Sequence, residues 1–366
     1  MDHSPPRSSV DKIQSAGGLP KELRALHREL RTIADAGYES DRSIAASVSV
    51  LKSHGQLAPD ALQTPVDIAR LLICVAAADL SVARLLEGHI NVLALARAHG
   101  TPELRARVEH DMAEGMLHGV WGADGAHPVA WDGTHLRGRK KFASGLGLVD
   151  RAVITARSAM GQQLVLADAT DPARHSPEEW RMSGMQATIS GGFDCARLEG
   201  NAMGPPDVYQ REPWFVGGTW RIAAVQLGGT LGLLDRAAET LRAIRRMEAD
   251  AQVVRLAPVT VRALAAKDFV IRAGRVASRS GSVEDPERAA ALSASARLLT
   301  EDIGQDAVTA VERSVGLSMF AIGNPVGQMA RDLSCYMRQA ARDAFLQRAG
   351  RRLLTRDESL LDWIED

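Results

Sequence analysis

The stretch LRGRKKFASGLGLVDRAVITA, Leu136–Ala156, reads as a strand that ends in a small-residue turn and runs on into a second strand. The turn is Phe142-Ala143-Ser144-Gly145, where basic and aromatic side chains lead into a hydroxyl and two nearby glycines. That combination suits backbone and side-chain contacts to a planar polar ligand. Helical sequence lies on both sides of it, so the stretch marks a β region set between two α regions.

Working outward, the segments GVWGAD, RAVITA, QLVLADA and FDCARLEG alternate with Gly, Pro and Asp-Gly punctuation, and Trp131-Asp132-Gly133 is a hairpin signal. These short strands predict a small antiparallel β domain over 117–210, closed by Pro205-Pro206. Upstream, residues 20–116 predict a helical domain. Leu23, Leu26, Leu30 and Ile33 recur at helical spacing, and Gly37 stops the run. Thr64-Pro65 opens a second helix through LLICVAAADLSVARLLE, apolar on nearly every side and therefore buried; Gly88-His89 is expected to interrupt it. A third helix follows over Ile90–His99, and Gly100-Thr101-Pro102 opens a fourth. Downstream, 211–366 predicts a four-helix bundle. Its first helix carries the stripe Ile222, Val225, Gly229, Leu233, Ala237, Leu241 and Ile244, Pro258 begins or bends the second, and two more run over 286–315 and 326–352. Residues 1–19, rich in Pro, Ser and Gly, read as a flexible tail. The fold class is α+β, mostly α, with each type in its own block instead of alternating βαβ units.

Composition narrows the function. The 366 residues are 45% hydrophobic and 24% charged with a formal net charge of −1, so a nucleic-acid partner has no electrostatic support. Cys74, Cys195 and Cys335 are dispersed, which argues for reduced thiols in a cytoplasmic protein. The polar N-terminus lacks a signal-peptide core, and apolar runs such as Leu71–Ala78 are too short to span a bilayer.

His110, His118, His127 and His135 lack the ligand spacing of a tetrahedral site, so no metal is expected. Gly228, Gly229 and Gly232 follow no strand and are not a dinucleotide fingerprint; close helix packing or contact with a ligand both remain open. Trp121 and Phe142, as lone aromatics, fit a core role or a ligand platform. Arg331-Asp332 reads either as a surface pair or as a fixed pair orienting the last helices. No GxSxG elbow, P-loop or SxxK is present, which leaves hydrolase and phosphoryl-transfer readings without support.

The layout, together with four phrases in order, resembles the acyl-CoA dehydrogenase superfamily over residues 20–352. The phrases are GMLHGVWGADG (115–125), GRKKFASGLGLVDRAVITA (138–156), WRMSGMQATISGGFD (180–194) and NPVGQMARD (324–332). The resemblance implies FAD held by a helical domain, a β domain and a bundle, in a homodimer or homotetramer. Carried over by position, it implies that Phe142 packs beside the isoalloxazine and that Ser144 reaches the flavin N5 region. Trp121 and Gly122 would line the pyrimidine side, and Arg246 would hold the diphosphate. A hydroxyl at N5 makes physical sense, because hydride arriving there builds electron density that a donor stabilises.

The activity implied is oxidation of a CH–CH group of an acyl thioester, with electrons passed to a separate acceptor. Yet the family's catalytic glutamate is replaced by Ala340, the first bundle helix supplies no carboxylate in its place, and Ala249 and Ala257 replace a phenylalanine and a glutamine after the arginine. Glu212 and Asp207 are the carboxylates nearest in sequence. A Phe-x-Ser-Gly turn without that glutamate also resembles the flavin-dependent monooxygenase branch, in which a flavin reductase supplies reduced flavin. A flavin-binding relative without chemistry is the third reading. No catalytic residue is assigned.

Overall fold

The computed structural model describes residues 18–37, 44–279, 285–338 and 341–364. Five helices come first: α1 (Lys21–Gly37), α2 (Ala45–Ser53), α3 (Pro65–Ala78), α4 (Leu80–His99) and α5 (Pro102–Ala113). Nine strands follow: β1 (His118–Trp121), β2 (Ala130–Trp131), β3 (His135–Arg137), β4 (Arg139–Ala143), β5 (Arg151–Ser158), β6 (Gly161–Asp168), β7 (His175–Ser176), β8 (Gly191–Asp194) and β9 (Leu198–Met203). The chain then returns to helix: α6 (Trp220–Ala243), α7 (Asp250–Ala277), α8 (Pro286–Val315), α9 (Pro325–Tyr336), α10 (Arg342–Leu354) and α11 (Leu360–Ile364).

The first block breaks where a side chain can cap, not where a glycine stands. Asp79 Oδ1 accepts from the Ser81 and Val82 amides, so the apolar run divides there into α3 and α4. Gly88 and His89, expected to interrupt the run, lie within an unbroken α4. A Cβ on Gly88 would stand 3.6 Å from the Val120 backbone nitrogen, so the glycine lets α4 lie close against β1. Thr64 and Thr101 cap α3 and α5, each with Pro following at the first helical position. The helix α2 went unread in the sequence, where AASVSVLKS carries little amphipathic signal.

Gly138, at φ +115°, separates β3 from β4 and sends them to different sheets. β4, β8 and β7 form a three-stranded antiparallel sheet. In the larger sheet the pairing runs β5–β2–β3–β9–β6 and returns to β5, so it closes on itself. Most of its pairings are antiparallel; β1 joins β5 in parallel, His118 opposite Arg151 through Trp121 opposite Ile154.

In the bundle, a Cβ on Gly232 would come within 2.2 Å of the Ala77 carbonyl oxygen, and one on Gly228 within 2.4 Å of that of Ile73. Close packing of α6 on α3 therefore accounts for these glycines. Buried Arg236 adds to this join by donating to the Ala77 and Ala78 carbonyls at 2.9 and 2.8 Å, where α3 ends. Pro258 sits inside α7. The last run divides into α9 and α10, and Ala340 lies outside the described residues. Among the described residues, no helix is long and apolar enough to cross a membrane.

Candidate active site

The turn after β4 is built under backbone strain. The register of β4 on β8 shifts between Lys140 and Ala143, and Phe142 is held at φ +60°. Met185 and Ile189, in the segment opposite, also take positive φ, at 56° and 46°. A bulky or β-branched residue in this region costs about 1–2 kcal/mol, and such strain collects at functional sites. The result is an aromatic ring turned outward: Phe142 is 40% exposed, edge-on to Trp180 at 5.7 Å, with the Lys141 ammonium 4.5 Å from its centroid.

Two distant segments tie this turn down, and a third braces one of them. The amides of Gly145 and Leu146 donate to the carbonyls of Thr188 and Ile189 at 2.8 and 3.0 Å. The indole N–H of Trp121 donates to the Ser144 carbonyl at 3.1 Å. Buried Asp332 on α9 accepts from the Met185 amide at 2.5 Å and from Gln328 at 2.8 Å. Asp332 is thus the inward half of Arg331-Asp332, and it fastens the 182–190 segment to α9. All four sequence phrases of the resemblance meet here.

A row of hydroxyls ends at Ser144. Thr188 Oγ1 lies 2.7 Å from Ser190 Oγ, and Ser190 donates to Ser144 Oγ at 3.1 Å. Ser144 accepts that bond, so its own proton is left to donate outward. Beneath the turn, buried Lys140 reaches Asp124 at 2.5 Å and Thr155 at 2.9 Å. Burial lowers the pKa of its ammonium, and the Asp124 carboxylate opposes that shift. The exposed Gly122 gives its carbonyl to Thr155 at 3.1 Å. Trp121 is buried and packs on Phe193 at 4.7 Å, so it supports the turn from below. Arg246 stands apart, exposed in the α6–α7 link, with no side-chain hydrogen bond or ion pair to the turn among the described residues.

Facing Ser144 across a narrow crevice are Arg84, Leu85 and Gly88 of α4. Arg84 donates to buried Glu87 at 2.8 Å, and Asn91 donates to the other oxygen of the same carboxylate. The phenols of Tyr209 and Tyr336 feel this carboxylate, and burial pushes Tyr209 up to about 12 and Tyr336 well above its ordinary value. Sequence reasoning missed these groups. The available signal was the pair of charges Arg84 and Glu87 within an otherwise apolar helix, since such residues are seldom buried without a partner. Neither Glu212 nor Asp207 faces the crevice: Glu212 pairs with Arg348 at 2.7 Å, and Asp207 accepts from the Gln162 amide at 2.8 Å.

Two histidines fix α4 to β1. His89 Nδ1 accepts from the His118 amide at 3.1 Å, and its Nε2 meets the Leu57 carbonyl at 2.8 Å. Burial lowers His89 to about 3 and His118 to about 4, so both stand neutral. Among the described residues no group of His, Cys, Asp or Glu could hold a metal ion, and Cys74, Cys195 and Cys335 are free thiols. Burial lifts Cys74 and Cys195 to about 12, which makes them inert.

No protein-family model and no curated protein matches the chain. Solved structures do. TdsC from Paenibacillus sp. A11-2, a dibenzothiophene monooxygenase, superposes with a TM-score of 0.79 at 17% identity, over 92% of this chain and 97% of that one. The chain has the acyl-CoA dehydrogenase fold. Two further acyl-CoA dehydrogenase-fold proteins are similar. KijD3, solved with FMN and a dTDP-linked amino keto sugar, gives 0.77 at 20% identity over 95% and 96% of the two chains. Nitrososynthase from Micromonospora carbonacea var. africana gives 0.74 at 19% identity over 92% and 96%.

Proposed function

We propose that the protein is a flavin-dependent oxidoreductase working at the Phe142–Gly145 turn. The observation that carries this reading is Phe142, held at positive φ with its ring exposed, beside a Ser144 hydroxyl that accepts from Ser190 and keeps its own proton to donate. The residues present fit a flavin: a flat ring matches the exposed aromatic, and an electron-rich ring nitrogen matches the free O–H donor. FMN is the form supported best. TdsC has been solved with FMN and indole and KijD3 with FMN, while Arg246 stands apart from the turn.

Of the two reactions the fold hosts, monooxygenation is favoured over acyl-thioester dehydrogenation. Dehydrogenation needs a base within hydrogen-bond reach of an α-proton. Among the described residues, the carboxylate beside the crevice is Glu87, and both of its oxygens already accept from Arg84 and Asn91. Bound and reduced, a flavin would activate oxygen, with the electrons supplied by a separate reductase. The chain's own residues would do the rest. Ser144 donates at the turn, Arg84 places a cation across the crevice, and the apolar Leu85 and Val149 beside it exclude water.

A homo-oligomer is part of the proposal, supported by exposed Val254, Val261 and Leu264 on α7; sedimentation of a single-chain species would contradict it. The reaction is tested by mixing anaerobic protein and reduced FMN with oxygen in a stopped-flow cell, alongside oxidised protein with an acyl-CoA panel. An oxygen adduct that decays far more slowly than free reduced FMN oxidises is expected. Bleaching of the bound flavin by a thioester, with no such adduct, would return the function to dehydrogenation.

A further inference from the structure

A cavity of about 720 Å³ lies between α4, the 212–218 segment, the start of α6 and the facing ends of α7 and α8. That size suits a small organic ligand. Much of the wall is apolar, with Leu62, Ile90 and Leu93 on one side and Trp214 on another. The charged wall residues differ in one respect. Arg97 has its counter-charge in Glu109 at 2.9 Å, and Glu212 has Arg348 at 2.7 Å. Arg221 is only 8% exposed, and among the described residues no hydrogen bond or ion pair within 4 Å reaches it. Its guanidinium lies 5.3 Å from the Trp220 ring, and the buried Trp220 indole N–H also lacks an acceptor. The Glu87 carboxylate and the Tyr209 phenol act on it through space only, and a buried cation without a hydrogen-bonded counter-charge is costly, so a fold that keeps one there gains from a group that comes to meet it.

We infer that this cavity binds a small organic anion, a compact apolar body carrying a carboxylate that pairs with Arg221. A planar guanidinium fork matches a carboxylate in two parallel hydrogen bonds. The apolar wall takes the body of the molecule. The cavity shares α4 with the proposed chemistry but lies across that helix from it: at about 100° per residue, Ile90 and Leu93 face away from Gly88 and the crevice that Ser144 lines. The anion site stands apart from the flavin reading and does not need a flavin.

The test is calorimetric titration of flavin-free protein with 2-naphthoate and with its neutral counterpart 2-naphthamide. Naphthoate is expected to bind at least tenfold more tightly than the amide. Arg221→Met should erase that preference with little change in the melting temperature, because no hydrogen bond is lost with the guanidinium. Arg221→Lys should keep part of the preference, and Leu93→Trp, which fills the cavity, should abolish binding of both probes. Equal affinity for the two probes, no binding of either, a preference that survives in Arg221→Met, or unchanged affinity in Leu93→Trp would each overturn the assignment. If Arg221→Met fails to fold, the lysine and tryptophan variants decide. A separate FMN titration keeps the two readings apart: naphthoate binding without FMN binding would sink the flavin reading and leave the anion site standing.

Discussion

The turn at 142–147 is hydrogen-bonded by its own chain to two other segments, whereas the cavity beside α6 holds an arginine with no hydrogen bond or close ion pair among the described residues. The two regions share α4, whose Arg84–Gly88 face meets the turn and whose opposite face, with Ile90 and Leu93, meets the cavity. A site made for a resident group is preorganised, its donors fixed before anything binds. A site for a passing molecule can leave a charge waiting, provided the rest of the fold tolerates the cost. On this contrast rests the proposal that the satisfied turn holds a flavin and that the unsatisfied cavity takes up a passing molecule.

The largest expected effect concerns the support beneath the turn. His89 and His118 have folded pKa values below the ordinary 6.5, so the unfolded chain takes up their protons first. Their stabilising contribution is complete above pH 6.5 and is lost as pH falls toward 4 and then 3. At pH 5 the loss is about 2 kcal/mol for each histidine. Urea unfolding at pH 7.5 and pH 5 measures it, and His118→Gln should flatten the dependence. A stability that is flat between those pH values would mean the histidines are not the buried neutral clamp described here.

Next comes the donor itself. Ser144→Ala should lower flavin-dependent turnover by ~10²-fold, the lower end for removing one preorganised donor. Flavin affinity should change far less, since the turn backbone stays fastened. An unchanged rate would remove Ser144 from the chemistry. A smaller effect is expected from Asp332→Ala, which leaves the buried Met185 amide without its acceptor and costs about 1–3 kcal/mol. Flavin affinity should fall with it. If stability drops while flavin affinity does not move, the 182–190 segment is a structural brace with no part in the site.

Much of this turn could be read from the sequence because its signals are local. Phe142 to Gly145 form a small-residue turn between two strands, and the three other phrases stand in the right order. The cap that divides α3 from α4 was also local, at Asp79, yet the glycine two turns later drew the expected break. Gly88 is explained only by β1 lying against it. The cavity was not legible at all. Arg221 follows Trp220 at the start of a helix, an ordinary place for an arginine, and what distinguishes it is the absence of a partner that only tertiary structure can reveal. Arg84 and Glu87 were visible as residues, but their pairing toward Ser144 depends on how α4 rotates against β1. Arg246 was assigned by position alone, and the structure shows it exposed in the α6–α7 link.

The central claim is that the exposed ring of Phe142 and the free proton of Ser144 receive a flavin. Its most direct test is an anaerobic titration of the purified protein with FMN, oxidised and then reduced, followed by flavin absorbance and fluorescence. Saturable binding of one FMN per chain in at least one redox state is expected, weakened at least tenfold in Phe142→Asp. Failure of both FMN and FAD to bind in either redox state would contradict the account.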